Sequence, residues 1–586
     1  MIEPYYFSIS PQLYKLAVLS HIMKIVLFSL FFIVFFGSAQ SPYPQDYFSS
    51  PLDINLLLSG SFAELRTNHF HSGLDIKTQG KEGLKTYASA AGYVSRIKIS
   101  RTGYGKALYI THPNGYTTVY AHLQKFSSAI ESYVKQQQYQ KESFEIELFP
   151  KATALKVANR EVIAFTGNTG GSGGPHLHFE IRDKQSRPLN PLLFGFDVKD
   201  TTKPVIYGLY GYPLSEKSHI DGNTKRVKIR VLKLADGTYK TEQINAFGRI
   251  GFGIISTDRQ DLASNKNGLN LIETNFNGYK CLEVDFTRFS FDETKHLNRY
   301  VDYEYFYNNK KRIQKLFIEK NNPLSLLKAQ DNKGSILIEN DTSSIYKISV
   351  SDFKGNTSEI SIPILGICKE IPEIITPKDP KLQRIIASEE MILEKANVSV
   401  QIHSNTFYED IDLSFEVSND TLKLHKAVVP LQKHLTISFD VSQYKNSDKE
   451  HLFIGSVSRY GNKLYYAPTK KRNNTLSTRS KYLGNYTLGR DDEGPKIKAV
   501  NFKNKSWISN LSHLKVKISD YVSGVKNYRA TINQRWILME YDTKTQLLTY
   551  DFNDQISTDI ENNLKIIVTD NVGNSSTFET IFYRKQ

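Results

Sequence analysis

Apolar and polar positions alternate over short stretches through most of this chain. Lys106-Ala-Leu-Tyr-Ile-Thr111, Tyr116-Thr-Thr-Val-Tyr120 and Val162-Ile-Ala-Phe165 are rich in β-branched and aromatic residues and end at glycine or polar turn residues, which predicts β-strands. From Leu52 to about Pro191 one stretch breaks the rhythm. Ser127 to Ser143 is polar, Gln-rich and free of Gly and Pro, and predicts a surface helix inserted between strands. Such a helix serves either as a wall of a groove or as a solvated insertion.

Beyond about residue 200 the punctuation repeats. Tyr346-Lys-Ile-Ser-Val-Ser-Asp352-Phe-Lys-Gly355-Asn356 resembles Leu564-Lys-Ile-Ile-Val-Thr-Asp570-Asn-Val-Gly573-Asn574, each an alternating strand running into an Asp-x-x-Gly-Asn turn. The starts echo as well, Lys203-Pro-Val-Ile206 against Gly494-Pro-Lys-Ile497. The predicted fold is mainly β. A first β-rich domain at 40–199 is followed by immunoglobulin-like sandwiches at 200–368 and 491–586, with a less regular β-domain at 369–490 between them. A chain of 586 residues exceeds what one core usually supports, which fits several domains.

Charge and cysteine usage narrow the function classes. Lys and Arg (75) exceed Asp and Glu (60), a formal charge of +15. This describes a Lys-rich, solubilising surface or an affinity for an anionic polymer such as a cell wall. No dense Lys/Arg tract or nucleic-acid module is present, so nucleic acid is not an expected partner. Cys281 and Cys368 lie far apart and leave open a disulfide or two separate thiols; the lack of a CxxC pair excludes a thiolate zinc site. Near the N-terminus, Met23-Lys24 precedes an apolar run, Ile25 to Phe36, and then Gly37-Ser38-Ala39. The pattern is that of a signal peptide, residues 1–39, with Met23 an alternative initiator. The run is shorter than the ~20 residues of a spanning helix. The expected location is therefore exported, in the periplasm, on the outer envelope surface or secreted, with no membrane span after cleavage.

Three short segments carry candidate chemistry: His71-Ser-Gly-Leu-Asp75, Tyr120-Ala-His122-Leu123 and Gly174-Pro-His176-Leu-His178-Phe-Glu180. In a strand, His176, His178 and Glu180 share one face and Leu177, Phe179 and Ile181 the other. The two imidazoles then stand ~6.5–7 Å apart, which suits one ligand and one neighbouring acid/base. His71 and Asp75 would be ~13 Å apart on a straight strand, and Gly73 permits the bend that lets them converge. Two nitrogens and one carboxylate oxygen make a three-ligand zinc site with an open fourth position, the catalytic pattern. Proton handling falls naturally to His122 and His176, because imidazole titrates near working pH.

At these residues the chain resembles the lysostaphin-type, LytM-like zinc metallopeptidases that cleave peptidoglycan peptides. The resemblance covers roughly residues 50–195 and extends to the framework of Ala88 to Val94, Gly103-Tyr-Gly105 with Ile110-Thr-His112, and Val162 to Gly167. It implies an antiparallel-sheet peptidase domain with one Zn2+ held by His71, Asp75 and His178, and with His122 and His176 acting in catalysis. It further implies a metalloendopeptidase opening peptide cross-links of peptidoglycan, its C-terminal β-domains free to engage an envelope partner. The alternative within the same family is a non-catalytic regulator that binds the wall or activates another wall hydrolase. The connection from His122 to Val162 is longer than the family's compact pattern, so substrate preference does not carry over.

Neighbouring residues have plainer expectations. His69 reads as groove lining or structural, and His112 as a turn residue. Glu180 is either an acceptor that orients a histidine or a surface ion pair. Arg66 is either a contact to a substrate carboxylate or part of a structural ion pair. Gly170, Gly171, Gly173 and Gly174 lack the Gly-Lys-Ser/Thr of a nucleotide loop and form a tight turn beside the cleft.

Overall fold

The computed structural model of the protein describes residues 42–371, 379–461, 463–554 and 559–585. The expected signal peptide, residues 1–39, lies outside the described residues. Among the described residues no helix is long and apolar enough to cross a membrane. The chain is mainly β, as the alternation predicts.

The site is carried by an antiparallel sheet whose main strands are β1 (Leu58–Gly60), β2 (Leu74–Lys77), β3 (Gly92–Ile99), β4 (Lys106–Thr111), β5 (Thr117–Ala121), β6 (Ile146–Leu148) and β7 (His176–Arg182). They lie in the order β1-β2-β7-β5-β4-β3-β6, so β7 sits between β2 and β5. Leu177, Phe179 and Ile181 of β7 are at most 1% exposed. Each contributes ~1.5–3 kcal/mol by leaving water. Their burial holds the register that presents His176, His178, Glu180 and Arg182 on the other face. That face is covered too, since His178 is 3% and Glu180 0% exposed.

The predicted insertion is helix α1 (Ser128–Lys141), which buries Ile130, Val134 and Gln138 along one stripe at i, i+4, i+8 spacing. Part of its other face is covered as well, while Ser132, Gln136 and Gln140 stay exposed. Lys135 pairs with Asp554 (2.5 Å), the Tyr139 and Trp536 rings meet at 5.2 Å, and Glu142 pairs with Arg529 (2.5 Å). The helix is a platform for the 491–586 region.

Residues 205–366 form a thirteen-stranded sheet, and one apolar core runs from Phe48 through Ile364. Phe289 packs on Phe62 and Phe70 within that core. Residues 382–490 form sheets of six and five strands around a second core, and 496–583 sheets of four and five around a third. The two echoed segments are the same object, a long hairpin closed by the Asp-x-x-Gly-Asn turn: Ser343–Ser351 with Thr357–Gly366, and Glu561–Asp570 with Ser575–Tyr583. Cys281, half-buried, and Cys368, exposed, are free thiols.

Candidate active site

Strand register places the first two groups. β2 and β7 pair with His178 directly opposite Asp75, so both side chains leave the same face. His71 precedes β2, and the chain bends at Gly73. A Cβ on Gly73 would come within 2.3 Å of the Phe179 carbonyl oxygen. The glycine is needed because the backbone runs tight against β7. The bend closes the gap that a straight strand would leave. Asp75 Oδ1 lies 3.0 Å from His71 Nε2 and 2.9 Å from His178 Nδ1, and the two nitrogens are 3.1 Å apart.

The remaining ring nitrogens decide what these atoms offer. His71 Nδ1 donates to the Ser61 carbonyl (2.7 Å), and His178 Nε2 donates to Glu180 Oε1 (2.8 Å). In neutral rings the facing nitrogens, Nε2 of His71 and Nδ1 of His178, then carry lone pairs. Together with a carboxylate oxygen they converge on one point, an arrangement that calls for a cation. Around a tetrahedral zinc with bonds of ~2.0–2.2 Å, donors stand a little over ~3 Å apart, so this donor set fits that ion with slight spreading. Burial pulls Asp75 upward, but the charge of His71 and hydrogen bonds with His176 and His178 hold it well below the usual carboxylate range. Burial pulls His178 down, and its hydrogen bonds to Asp75 and Glu180 overcome this and raise it to about 9.

Two more imidazoles border the trio. His122 follows β5 with a φ of 60°, a left-handed conformation disfavoured for residues with a Cβ. Its Nδ1 donates to the Thr169 carbonyl (2.8 Å), which leaves Nε2 as an acceptor. Burial, then the neighbouring His178 and His176, push its pKa down to about 3, so the ring is neutral. His176 Nδ1 donates to the Gly174 carbonyl (2.8 Å), and its Nε2 stands 3.4 Å from Asp75 Oδ1. The His122 and His176 ring centres are 4.8 Å apart. All five expected side chains are thus gathered in one place. His69 stays outside it, exposed and bonded to the Thr67 carbonyl. His112 is buried between the Ala91 carbonyl and Thr118 Oγ1.

A family model described as peptidase family M23 matches residues 69–139, and one described as a Zu5-like domain matches 383–491. The DD-carboxypeptidase/endopeptidase Mpg of Neisseria meningitidis serogroup B is 34% identical over 139 residues, covering 24% of this chain and 26% of that protein. The chain carries a peptidase family M23 domain. An uncharacterized metalloprotease of Haemophilus influenzae is 34% identical over 122 residues, 21% of this chain and 20% of that protein. The chain therefore spans about a quarter of the length of the curated relatives it matches. Among solved structures, a zinc containing peptidase from Vibrio cholerae is 26% identical with a TM-score of 0.20, covering 26% of this chain and 41% of that one. The catalytic domain of lysostaphin from Staphylococcus simulans is 18% identical with a TM-score of 0.18, covering 24% and 91%.

Behind its ligand face the M23 domain has a buried polar support. Glu180 accepts from His178, from Arg182 Nε (2.6 Å), from Ser72 Oγ (2.7 Å) and from the Tyr104 hydroxyl. Burial raises its pKa, but Arg182 and then His178 hold the carboxyl below its ordinary range. Glu180 is therefore the orienting acceptor and not a surface ion pair. Tyr104 stacks on His178 with ring centres 5.1 Å apart. Arg66 is engaged as a structural ion pair, with Asp75 Oδ2 (3.0 Å) and Glu64 (3.0 Å). Sequence reading alone passes over Tyr104 and Arg182. Arg182 continues the polar face of His176, His178 and Glu180 at the same spacing of two, and Tyr104 stands inside the Gly-Tyr-Gly turn noted for its backbone alone.

The loop before His176 is braced from far along the chain. Gly170 (φ 71°) packs so closely on the 103–105 turn that a Cβ would come within 2.3 Å of Gly105 N. Lys544, on the turn between strands Met539–Asp542 and Leu547–Asp551, donates to the Asn168 carbonyl and to the Ser172 carbonyl (3.1 Å). Nearby, buried Lys106 pairs with Glu540 (2.8 Å) and donates to the Gln124 carbonyl (3.0 Å). Lys544 is exposed, so its loss should cost only about 1 kcal/mol. Lys544→Ala is expected to raise amide exchange in residues 168–174 by roughly fivefold with zinc content unchanged, as read by hydrogen exchange and metal analysis.

Proposed function

We propose that the protein is an exported zinc metalloendopeptidase that hydrolyses peptide cross-links of bacterial peptidoglycan. The observation that supports this reading best is the convergence of three lone pairs, from His71, Asp75 and His178, beside two neutral-capable imidazoles. His71, Asp75 and His178 hold the zinc in this reading, and the domains divide near residues 200, 369 and 491. Bound zinc supplies a Lewis acid that polarises the scissile carbonyl and lowers the pKa of water. The chain does the rest. His122 and His176 each present Nε2 as a proton acceptor, fixed by their Nδ1 bonds to the Thr169 and Gly174 carbonyls. One takes a proton from the attacking water on its Nε2 and, as the imidazolium so formed, passes that proton to the leaving amine, while the other imidazole borders the same site. Ser61 and Glu180 hold the ligand imidazoles in the tautomer that zinc requires. The two curated relatives, one named a DD-carboxypeptidase/endopeptidase and one a metalloprotease, agree in reaction class.

The test is digestion of purified sacculi of defined chemistry by the chain from residue 40 onward, with released muropeptides identified by mass spectrometry. Release should stop with a chelator and return with zinc. His176→Ala is expected to keep its zinc and lose turnover by ~10²–10⁴-fold, the usual contribution of a positioned acid/base. Wild-type protein that binds sacculi and releases nothing under any metal supplement would replace this reading with that of a non-catalytic wall binder.

A further inference from the structure

Away from the M23 site, three carboxylates meet where that domain joins the 205–366 sheet. Asp200 precedes the strand Val205–Pro213, Asp258 follows the strand Ile244–Thr257, and Asp352 follows the strand Ser343–Ser351. One oxygen from each lies within 4.8 Å of the others. Asp258 and Asp352 are each 5% exposed. Asp258 Oδ1 is buried and accepts no hydrogen bond. Lys354 lines the same space but pairs with Asp197 (3.9 Å). Among the described residues no lysine, arginine or histidine forms an ion pair with any of the three aspartates. Like charges buried together and left without a cation oppose one another, and an orphaned buried carboxylate oxygen adds the cost of its lost solvation.

The trio borders a cavity of about 40 Å³. A water needs ~10–15 Å³ of such space, so the cavity accommodates an ion with a water or two. Ser61, Asn190, Gln260 and Asn267 also line it, beside apolar residues such as Leu58 and Phe62, so its polar groups are oxygen and amide donors with neither a thiol nor an imidazole among them. Hard oxygen donors with several carboxylates select an alkaline-earth ion over zinc. Calcium accepts irregular, high coordination that includes backbone and amide oxygens, whereas magnesium requires near-octahedral geometry and several waters.

From this geometry we infer that Asp200, Asp258 and Asp352 form a calcium site at the seam between the M23 domain and the 205–366 sheet. The Asp-x-x-Gly-Asn turn builds its scaffold. Asn356 donates its backbone N–H to Asp352 Oδ1 (2.9 Å) and its Nδ2 to Asp352 Oδ2 (2.7 Å) and to the Asp200 carbonyl (3.2 Å). Asp491, Asp520 and Asp570 repeat the arrangement, with Asn574 bonded in the same way to Asp570 and to the Asp491 carbonyl. The site is assigned to the first trio alone, which has the orphaned oxygen and the adjoining cavity. Its position matters to the M23 domain. Ser61, on the cavity wall, takes the Nδ1–H of His71 on its carbonyl and accepts from Gly268 N through its hydroxyl.

The full chain, stripped with a chelator and reloaded with zinc, is titrated with calcium chloride and in parallel with magnesium chloride, following bound metal by calorimetry and unfolding temperature. Calcium should bind and raise the unfolding temperature, and Asp258→Asn should bind one molar equivalent less than the parent with its zinc content intact. Asp200→Asn provides the same comparison where the first variant does not fold. The assignment is overturned if calcium neither binds nor shifts unfolding, if the folded variants bind as much calcium as the parent, or if magnesium acts equally well.

Discussion

Asp75→Ala protein is expected to purify without zinc and to release no peptides from sacculi. Its Oδ1 is the point shared by His71 Nε2 at 3.0 Å and His178 Nδ1 at 2.9 Å. Removing it leaves two neutral imidazoles and takes away the anionic donor. Loss of a supporting residue outside the ligand set usually costs 10–100-fold in metal affinity, so loss of a ligand should exceed ~100-fold. The fold should survive. Arg66, more than a third exposed, keeps Glu64 as a partner, and a pair in that setting is worth at most about 1 kcal/mol. Metal analysis together with a near-wild-type melting curve checks both halves. A variant that retains stoichiometric zinc would remove Asp75 from the ligand set.

Glu180→Ala should be costly in a different way. The carboxylate is fully buried and joins four donors, among them Arg182, itself only 9% exposed. Alanine would leave that guanidinium buried beside the Tyr109 and Phe291 rings without its counter-charge. Breaking a buried pair from one side costs roughly 3–5 kcal/mol. Glu180→Gln keeps the shape and an acceptor oxygen, so it should be folded yet bind zinc ~10–100-fold more weakly, because His178 loses its charged orienting partner. Denaturant melts of the alanine variant and chelator competition on the glutamine variant separate the two effects. Equal zinc affinity in the glutamine variant and the parent protein would reduce Glu180 to a purely structural role.

The difference between these residues also marks what is legible without the structure. His176, His178 and Glu180 fall on one face because strand alternation is local and β7 obeys it. The approach of His71 and Asp75 to His178 is legible only as a possibility opened by Gly73. The register that sets Asp75 opposite His178 is a pairing across more than a hundred residues, and the backbone contact of Gly73 with Phe179 is likewise non-local. Glu180 and Arg66 each have two readings because burial decides between them, and burial depends on elements distant in sequence. Helix α1 is evident from composition, but its outer partner is not, since nothing local in Ser127 to Ser143 announces Asp554 or Trp536. The Asp-x-x-Gly-Asn echo correctly marks two hairpins. The aspartates that meet each turn, Asp200 with Asp258 and Asp491 with Asp520, are invisible as groups, because each comes from a different strand end.

Lys544 and the carbonyl of Ser172 that it holds are 372 positions apart. A ribosome finishes the histidines of β7 long before it makes the lysine that steadies their loop. During that interval the loop before His176 lacks the two hydrogen bonds from Lys544, which form only once the distal sheets meet the peptidase-like domain.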